Sequence, residues 1–113
     1  MDRDFAAFGR TLEWLYDQAR HRGETEPNWY FTGGILADAI GEYRTWSMYL
    51  ERRDWSKADE AADRLDAKIQ RAGDEMRGLR RDAALAETAD ILRRDLNDLR
   101  TEVAYQQTQD GPR

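Results

Sequence analysis

Apolar residues recur at spacings of three and four along most of the chain, the pattern of helices that bury one face. In residues 3–21 they are Phe5, Phe8, Leu12, Leu15, Tyr16 and Ala19. Asp2 and Asp4 suit the positive end of that helix, and Arg20, His21 and Arg22 suit its negative end. Gly23 is a natural stop, and GETEPN then reads as a loop.

The stretch PNWYFTGGILADAIGEYRTWSMYL, residues 27–50, holds six of the twelve aromatic residues. From Ile35 on the pattern predicts a helix with a broad apolar face of Ile35, Leu36, Ala39, Ile40, Tyr43, Trp46 and Leu50. Its start lies between Pro27 and Gly34, with Thr25, Asn28 or Thr32 as cap, and the expected helix is residues 33–52. Trp29, Tyr30 and Phe31 read equally as a first turn or as a loop plugging the core. Gly33, Ala37 and Gly41 form a second row at i, i+4 and i+8, expected to seat a closely packed neighbouring helix. A helix that is apolar or small on most sides is a central one.

Arg52 and Arg53 close that helix, and Asp54 or Ser56 caps the next, Ser56 with Asp59 approximating a capping box. The third helix, residues 56–77, follows a heptad seam of Trp55, Ala58, Ala62, Leu65, Ile69, Ala72, Met76 and Leu79. A fourth, residues 83–107, carries Leu85, Ala89, Leu92, Leu96, Leu99 and Val103. These two seams are out of register by roughly 140° if a single straight helix is assumed. Gly78 as a stop and Asp82 as a cap therefore favour a hairpin. Residues 108–113 are expected to fray. The expected fold is all-α: one domain over residues 1–107, a compact antiparallel four-helix bundle. The alternative is a helical hairpin packed on one long C-terminal helix, which would dimerise to cover its seams.

Composition narrows the chemistry. Proline occurs only at 27 and 112, so nothing breaks the helices between. Without cysteine there is no disulfide, thiolate nucleophile or cysteine-based metal site. The first residues, MDRDFAAF, do not read as a leader, and no apolar run approaches the ~18 residues of a membrane span, so a cytoplasmic location is expected. A net charge of −5 argues against direct binding to nucleic acid or membrane.

Catalytic groups are sparse. His21 is the one histidine, in Arg-His-Arg at a helix end, where it compensates the dipole. The pair Gly33-Gly34 lacks the ending of a phosphate loop. Asp38 and Glu42 on the second helix and Glu60-x-x-Asp63 on the third are the one arrangement that suits Mg²⁺. It resembles the paired carboxylate helices, ExxE then ExxD, of all-α nucleotide pyrophosphohydrolases of the MazG type. The second half alone matches; on the second helix the spacing is Asp38-x-x-x-Glu42. The resemblance implies a Mg²⁺-dependent nucleotide hydrolase as one alternative. A plain solvated face, with Glu60 paired to Arg64, is the simpler account of these acids. An acidic mimic of nucleic acid, relying on the aspartates of the third helix, is another alternative.

The favoured expectation is a non-enzymatic protein-interaction module without cofactor or metal. It would dock on a protein partner or a second copy through Trp29, Tyr30, Phe31, Met48 and Tyr49, since Trp and Tyr dominate interface hot spots. A small regulator or inhibitor of a larger assembly, of the phage or mobile-element type, fits the size.

Overall fold

The computed structural model describes residues 2–78 and 83–109. Four helices follow one another: α1 (Asp2–Gly23), α2 (Pro27–Glu51), α3 (Trp55–Gly78) and α4 (Ala83–Gln109). Each packs antiparallel on its neighbour in sequence, and α4 returns to α1 to close the ring. The fold is an up-down-up-down four-helix bundle. α3 is described to Gly78 and α4 from Ala83; the expected turn between them, with Leu79 and the expected cap Asp82, lies outside the described residues.

The heptad seams build the core. Phe8, Leu12, Leu15 and Ala19 enter it from α1, and Ala58, Ala62, Leu65, Ile69, Ala72 and Met76 from α3. Leu85, Ala89, Leu92, Leu96 and Leu99 enter from α4. Alanine dominates the start of the α3 seam, which lets its partner helices come close. The α3–α4 approach is tightest at buried Gly73, where an added Cβ would sit 3.3 Å from the Cβ of Ala89.

α2 starts six residues earlier than expected. Pro27 occupies its first turn, where the missing N–H costs nothing and the fixed φ suits a helix. Glu26 precedes it in extended conformation without a side-chain cap; neither Thr25, Asn28 nor Thr32 serves as one. Thr32 is instead fully buried, and its hydroxyl donates to the Asn28 carbonyl at 3.3 Å. With α2 helical from Pro27, the inward row runs Trp29, Thr32, Leu36, Ala39, Tyr43, Trp46 at spacings of 3, 4, 3, 4, 3.

The α2–α3 turn is a Schellman motif. Arg53 takes the left-handed position, φ 56°, where glycine is usual. The Asp54 N–H reaches the Tyr49 carbonyl and the Arg53 N–H the Leu50 carbonyl. Asp54 then caps α3 by accepting the Lys57 N–H on its side chain at 3.3 Å. Asp54 rather than Ser56 is therefore the cap.

The α1–α2 hairpin is held at both ends. At one, Phe5, Phe8, Tyr43 and Trp46 form an aromatic cluster, with Phe5 stacked on Tyr43 at 5.0 Å. The Tyr43 hydroxyl donates to the Phe5 carbonyl at 2.9 Å. Burial, then the nearby Glu13 carboxylate, raises the Tyr43 pKa above the ordinary phenol value. At the other end Gly23 lies against the backbone of Tyr30; a Cβ there would stand 2.9 Å from the Tyr30 N and Cα.

The expected row of close contacts is corrected. Gly33 alone faces a neighbour, and a Cβ there would meet the Arg20 backbone at an ordinary 3.7 Å. Ala37 is exposed, and a Cβ on Gly41 would meet nothing within 4 Å. The small row points mostly out of the bundle, because Trp29 and Leu36 take the inward positions.

These contacts predict opposite signs for two glycine substitutions. Gly23→Ala forces backbone to move and should cost about 1–3 kcal/mol in urea unfolding. Gly33→Ala should instead stabilise by about 0.5–1 kcal/mol, because its Cβ fits and the helix gains an alanine. Tyr43→Phe should cost about 1 kcal/mol through loss of the bond to Phe5. Its pH signature has a definite sign. With the folded pKa raised, the stability held in the neutral phenol is complete below the unfolded value near 10 and is lost as pH rises through the folded one. The alkaline fall in stability should therefore be shallower in Tyr43→Phe, and its phenolate absorbance titration should lack the last component.

Candidate interaction surface

Side chains advance by about 100° per residue on a helix, so the three consecutive aromatics of α2 point three ways. Trp29 is 1% exposed and belongs to the core, with the Arg22 guanidinium 5.4 Å from its ring. Trp29 is thus a correction to the expected docking set. Tyr30 points to solvent at 77% exposure. Phe31, half-exposed, turns towards α3, where Arg71 stands 5.3 Å over its ring.

The other two expected residues divide in the same manner. Tyr49 is partly buried on the α3 side, with Lys57 5.8 Å over its ring. Met48 is exposed. The five residues therefore do not form one patch. Phe31 and Tyr49 belong to the α2–α3 side. Tyr30 and Met48 belong to an outward row, Tyr30, Gly34, Ala37, Gly41, Met48, in which all five are exposed. Tyr30 and Met48 stand about 27 Å apart along it, by the rise of 1.5 Å per residue. Between Tyr30 and Gly41 the row is flat, because Gly34, Ala37 and Gly41 carry at most a methyl group; Arg44, exposed and paired with Glu13, stands between Gly41 and Met48. Beside the row's upper end Tyr16, Arg20, Tyr30, Gly33, Gly34 and Ala37 line a shallow groove of about 200 Å³.

The carboxylates of the Mg²⁺ alternative are held apart. Glu42 bonds Arg64 at 2.9 Å and Asp38 pairs with Lys68 at 3.6 Å, both across the α2–α3 seam. Asp63 turns the other way, to Arg100 of α4 at 2.8 Å, a guanidinium shared with Asp59 at 2.7 Å. Burial lowers the Arg100 pKa, but the hydrogen bonds it donates to Asp59 and Asp63 outweigh it, and the net shift is upward. Glu60 is exposed, and Arg64 pairs with Glu42 rather than with it. Among the described residues no group of three acidic or histidine side chains is placed to hold a metal ion.

The acids proposed for nucleic-acid mimicry are likewise drawn into the α3–α4 seam. Asp59 and Asp63 share Arg100, and Asp66 binds Arg93 at 3.0 and 3.3 Å. Arg77 bridges Asp74 and Asp90. These cross-helix pairs were not visible in helical spacing, which shows neighbours within a helix only. His21 is exposed, 3.9 Å from Glu24. Among the described residues no helix is long and apolar enough to cross a membrane.

Comparison with known proteins adds no relative: no family model, curated protein or solved structure matches the chain.

Because Asp38, Glu42 and Asp63 are each held by a cation on two different seams, a divalent ion would have to displace Lys68, Arg64 or Arg100. Millimolar MgCl₂ should therefore leave the melting temperature where NaCl of equal ionic strength leaves it. A Mg²⁺-specific rise would show that these carboxylates regroup.

Proposed function

We propose that this chain is a non-enzymatic helical interaction module that docks on a protein partner through the outward row of α2. The observation that carries the reading is the placement of Tyr30, 77% exposed, at the head of a row that is flat as far as Gly41 and ends, past Arg44, at exposed Met48. Exposed tyrosine brings area and a hydroxyl to an interface at low conformational cost. The glycines and Ala37 let another backbone lie close along the helix. A rigid helix presenting Tyr30 above a smooth stretch from Gly34 to Gly41 suits a groove or helix on a larger partner. The α2–α3 and α3–α4 seams are covered with ion pairs, which contribute little to association. Inhibition or regulation of a larger assembly is the role such a module serves in a chain of this size.

The test is capture from source-cell lysate with wild type and with Tyr30→Ala/Gly41→Arg. Both positions face solvent, so the variant should retain full helicity and wild-type stability. It should lose a partner that the wild type holds. Trp29→Ala serves as contrast: it empties a core site and should cost roughly 3–5 kcal/mol in stability. Retention of every captured partner by the folded double variant would contradict the reading.

A further inference from the structure

A second surface lies on the opposite side of α1, where α1 meets α4. Here a groove of about 330 Å³ runs between the helices. Its floor is Phe8 and Leu99, and the charged side chains lining it are Asp4 on the α1 wall and Asp95, Asp98 and Glu102 on the α4 wall. Every lining charge is therefore a carboxylate. On the other seams, pairs of opposite charge join the helices. Glu13–Arg44 links α1 to α2, Glu42–Arg64 and Asp38–Lys68 link α2 to α3, and Asp66–Arg93 and Asp63–Arg100 link α3 to α4.

The groove continues into exposed apolar surface. On α1, Asp4, Ala7 and Thr11 line it, and the same row reaches Trp14 at spacings of 3, 4, 3. On α4, Asp95, Asp98 and Glu102 line it, and that row begins at Ile91 with spacings of 4, 3, 4. The helices are antiparallel, so Trp14 and Ile91 fall at the same level, one turn beyond Thr11 and Asp95. They are 48% and 47% exposed, two large apolar side chains at the mouth of an acidic channel.

We propose that this groove takes a basic amphipathic helix of a protein partner. Charge complementarity selects the sign, since a cationic segment would neutralise carboxylates that face one another across the seam. The spacing selects a helix. Asp95, Asp98 and Glu102 rise about one per turn, matching Lys or Arg at i, i+4 and i+7 of a docked helix. Among the described residues no three of these acids converge as a metal site would require, so a cation carried on separate turns fits better than a single ion. Trp14 and Ile91 take the apolar stripe of the same helix. The Asp4–Trp14 row is about 15 Å long, room for roughly three turns. The partner differs from this chain, whose Arg64, Arg77, Arg93 and Arg100 are already held by its own carboxylates. This surface is independent of the α2 row.

The test uses fluorescence anisotropy with a labelled synthetic peptide of about four turns, carrying Lys and Arg on one face and Leu on the other. A scrambled peptide of the same composition and a Glu-for-Lys/Arg version serve as controls. The wild-type protein should bind the amphipathic basic peptide alone, and more weakly at high salt. Asp95→Asn/Asp98→Asn should weaken binding at least about tenfold, while the charge-matched Glu60→Gln/Glu75→Gln on α3 should change it less than about twofold. Trp14→Ala should weaken it without altering charge, and Tyr30→Ala/Gly41→Arg should leave it intact. All substituted side chains are exposed, and circular dichroism should show each variant folded. Amide shift changes in the wild type should map to residues 4–14 and 91–102. Equal weakening by both charge variants, equal binding of the scrambled peptide, no binding to wild type, or shifts centred on α2 would each overturn the proposal.

Discussion

The rotational phase of α2 is the constraint on which the rest of this structure depends. Pro27 begins the helix, and two residues later Trp29 enters the core. Once an indole of that size is buried, every later position is assigned at about 100° per residue. Thr32, Leu36, Ala39, Tyr43 and Trp46 follow it inward. Asp38 and Glu42 are brought to α3, where Lys68 and Arg64 receive them. Tyr30, Gly34, Ala37, Gly41 and Met48 are left outside. Rotating α2 by one position would bury Tyr30, Gly34 and Ala37 and expose Trp29, Ile35 and Ala39, a loss of apolar burial no surface contact offsets.

That phase is fixed from both ends of the α1–α2 hairpin. At one end the Gly23 backbone lies against Tyr30, which a side chain at 23 would prevent. At the other, Tyr43 crosses Gly9 to reach the Phe5 carbonyl, and a Cβ at Gly9 would stand 2.6 Å from its hydroxyl. The glycines that matter for α1–α2 packing are therefore on α1, beneath large side chains or backbone of α2. The glycines of α2 mostly serve the surface.

The fold was legible because three helices carry clean heptads. Alanine and leucine at spacings of three and four have one reading, and the register mismatch between residues 76–79 and 89–92 favoured a turn. The start of α2 was hidden for a physical reason. Three consecutive aromatics offer no apolar–polar contrast, and the inward row passes through Thr32, a polar residue whose hydroxyl is satisfied by its own helix. The row at 29, 32, 36, 39, 43 and 46 was nevertheless the available signal. The Gly33–Ala37–Gly41 row misled because small residues permit close approach without stating whether a neighbour exists. The acidic groove of α1 and α4 was beyond reach, since it is formed by two rows that meet only when the ring closes. Cross-helix ion pairs were hidden in the same manner: Arg64 has an acid four residues before it and chooses another on α2.

The chain has no native cysteine, which makes thiol labelling along α2 the most direct measurement of its phase and of the surface that phase exposes. Single cysteines at positions 29 to 48 would be reacted with a maleimide, first on the free protein and then with its captured partner. Fast labelling should recur with the helical period at Tyr30→Cys, Gly34→Cys, Ala37→Cys and Gly41→Cys, with slow labelling at Leu36→Cys and Ala39→Cys, and the partner should protect the fast row alone. Reactivity without that period, or protection of the α3-facing positions in place of the outward row, would contradict the account.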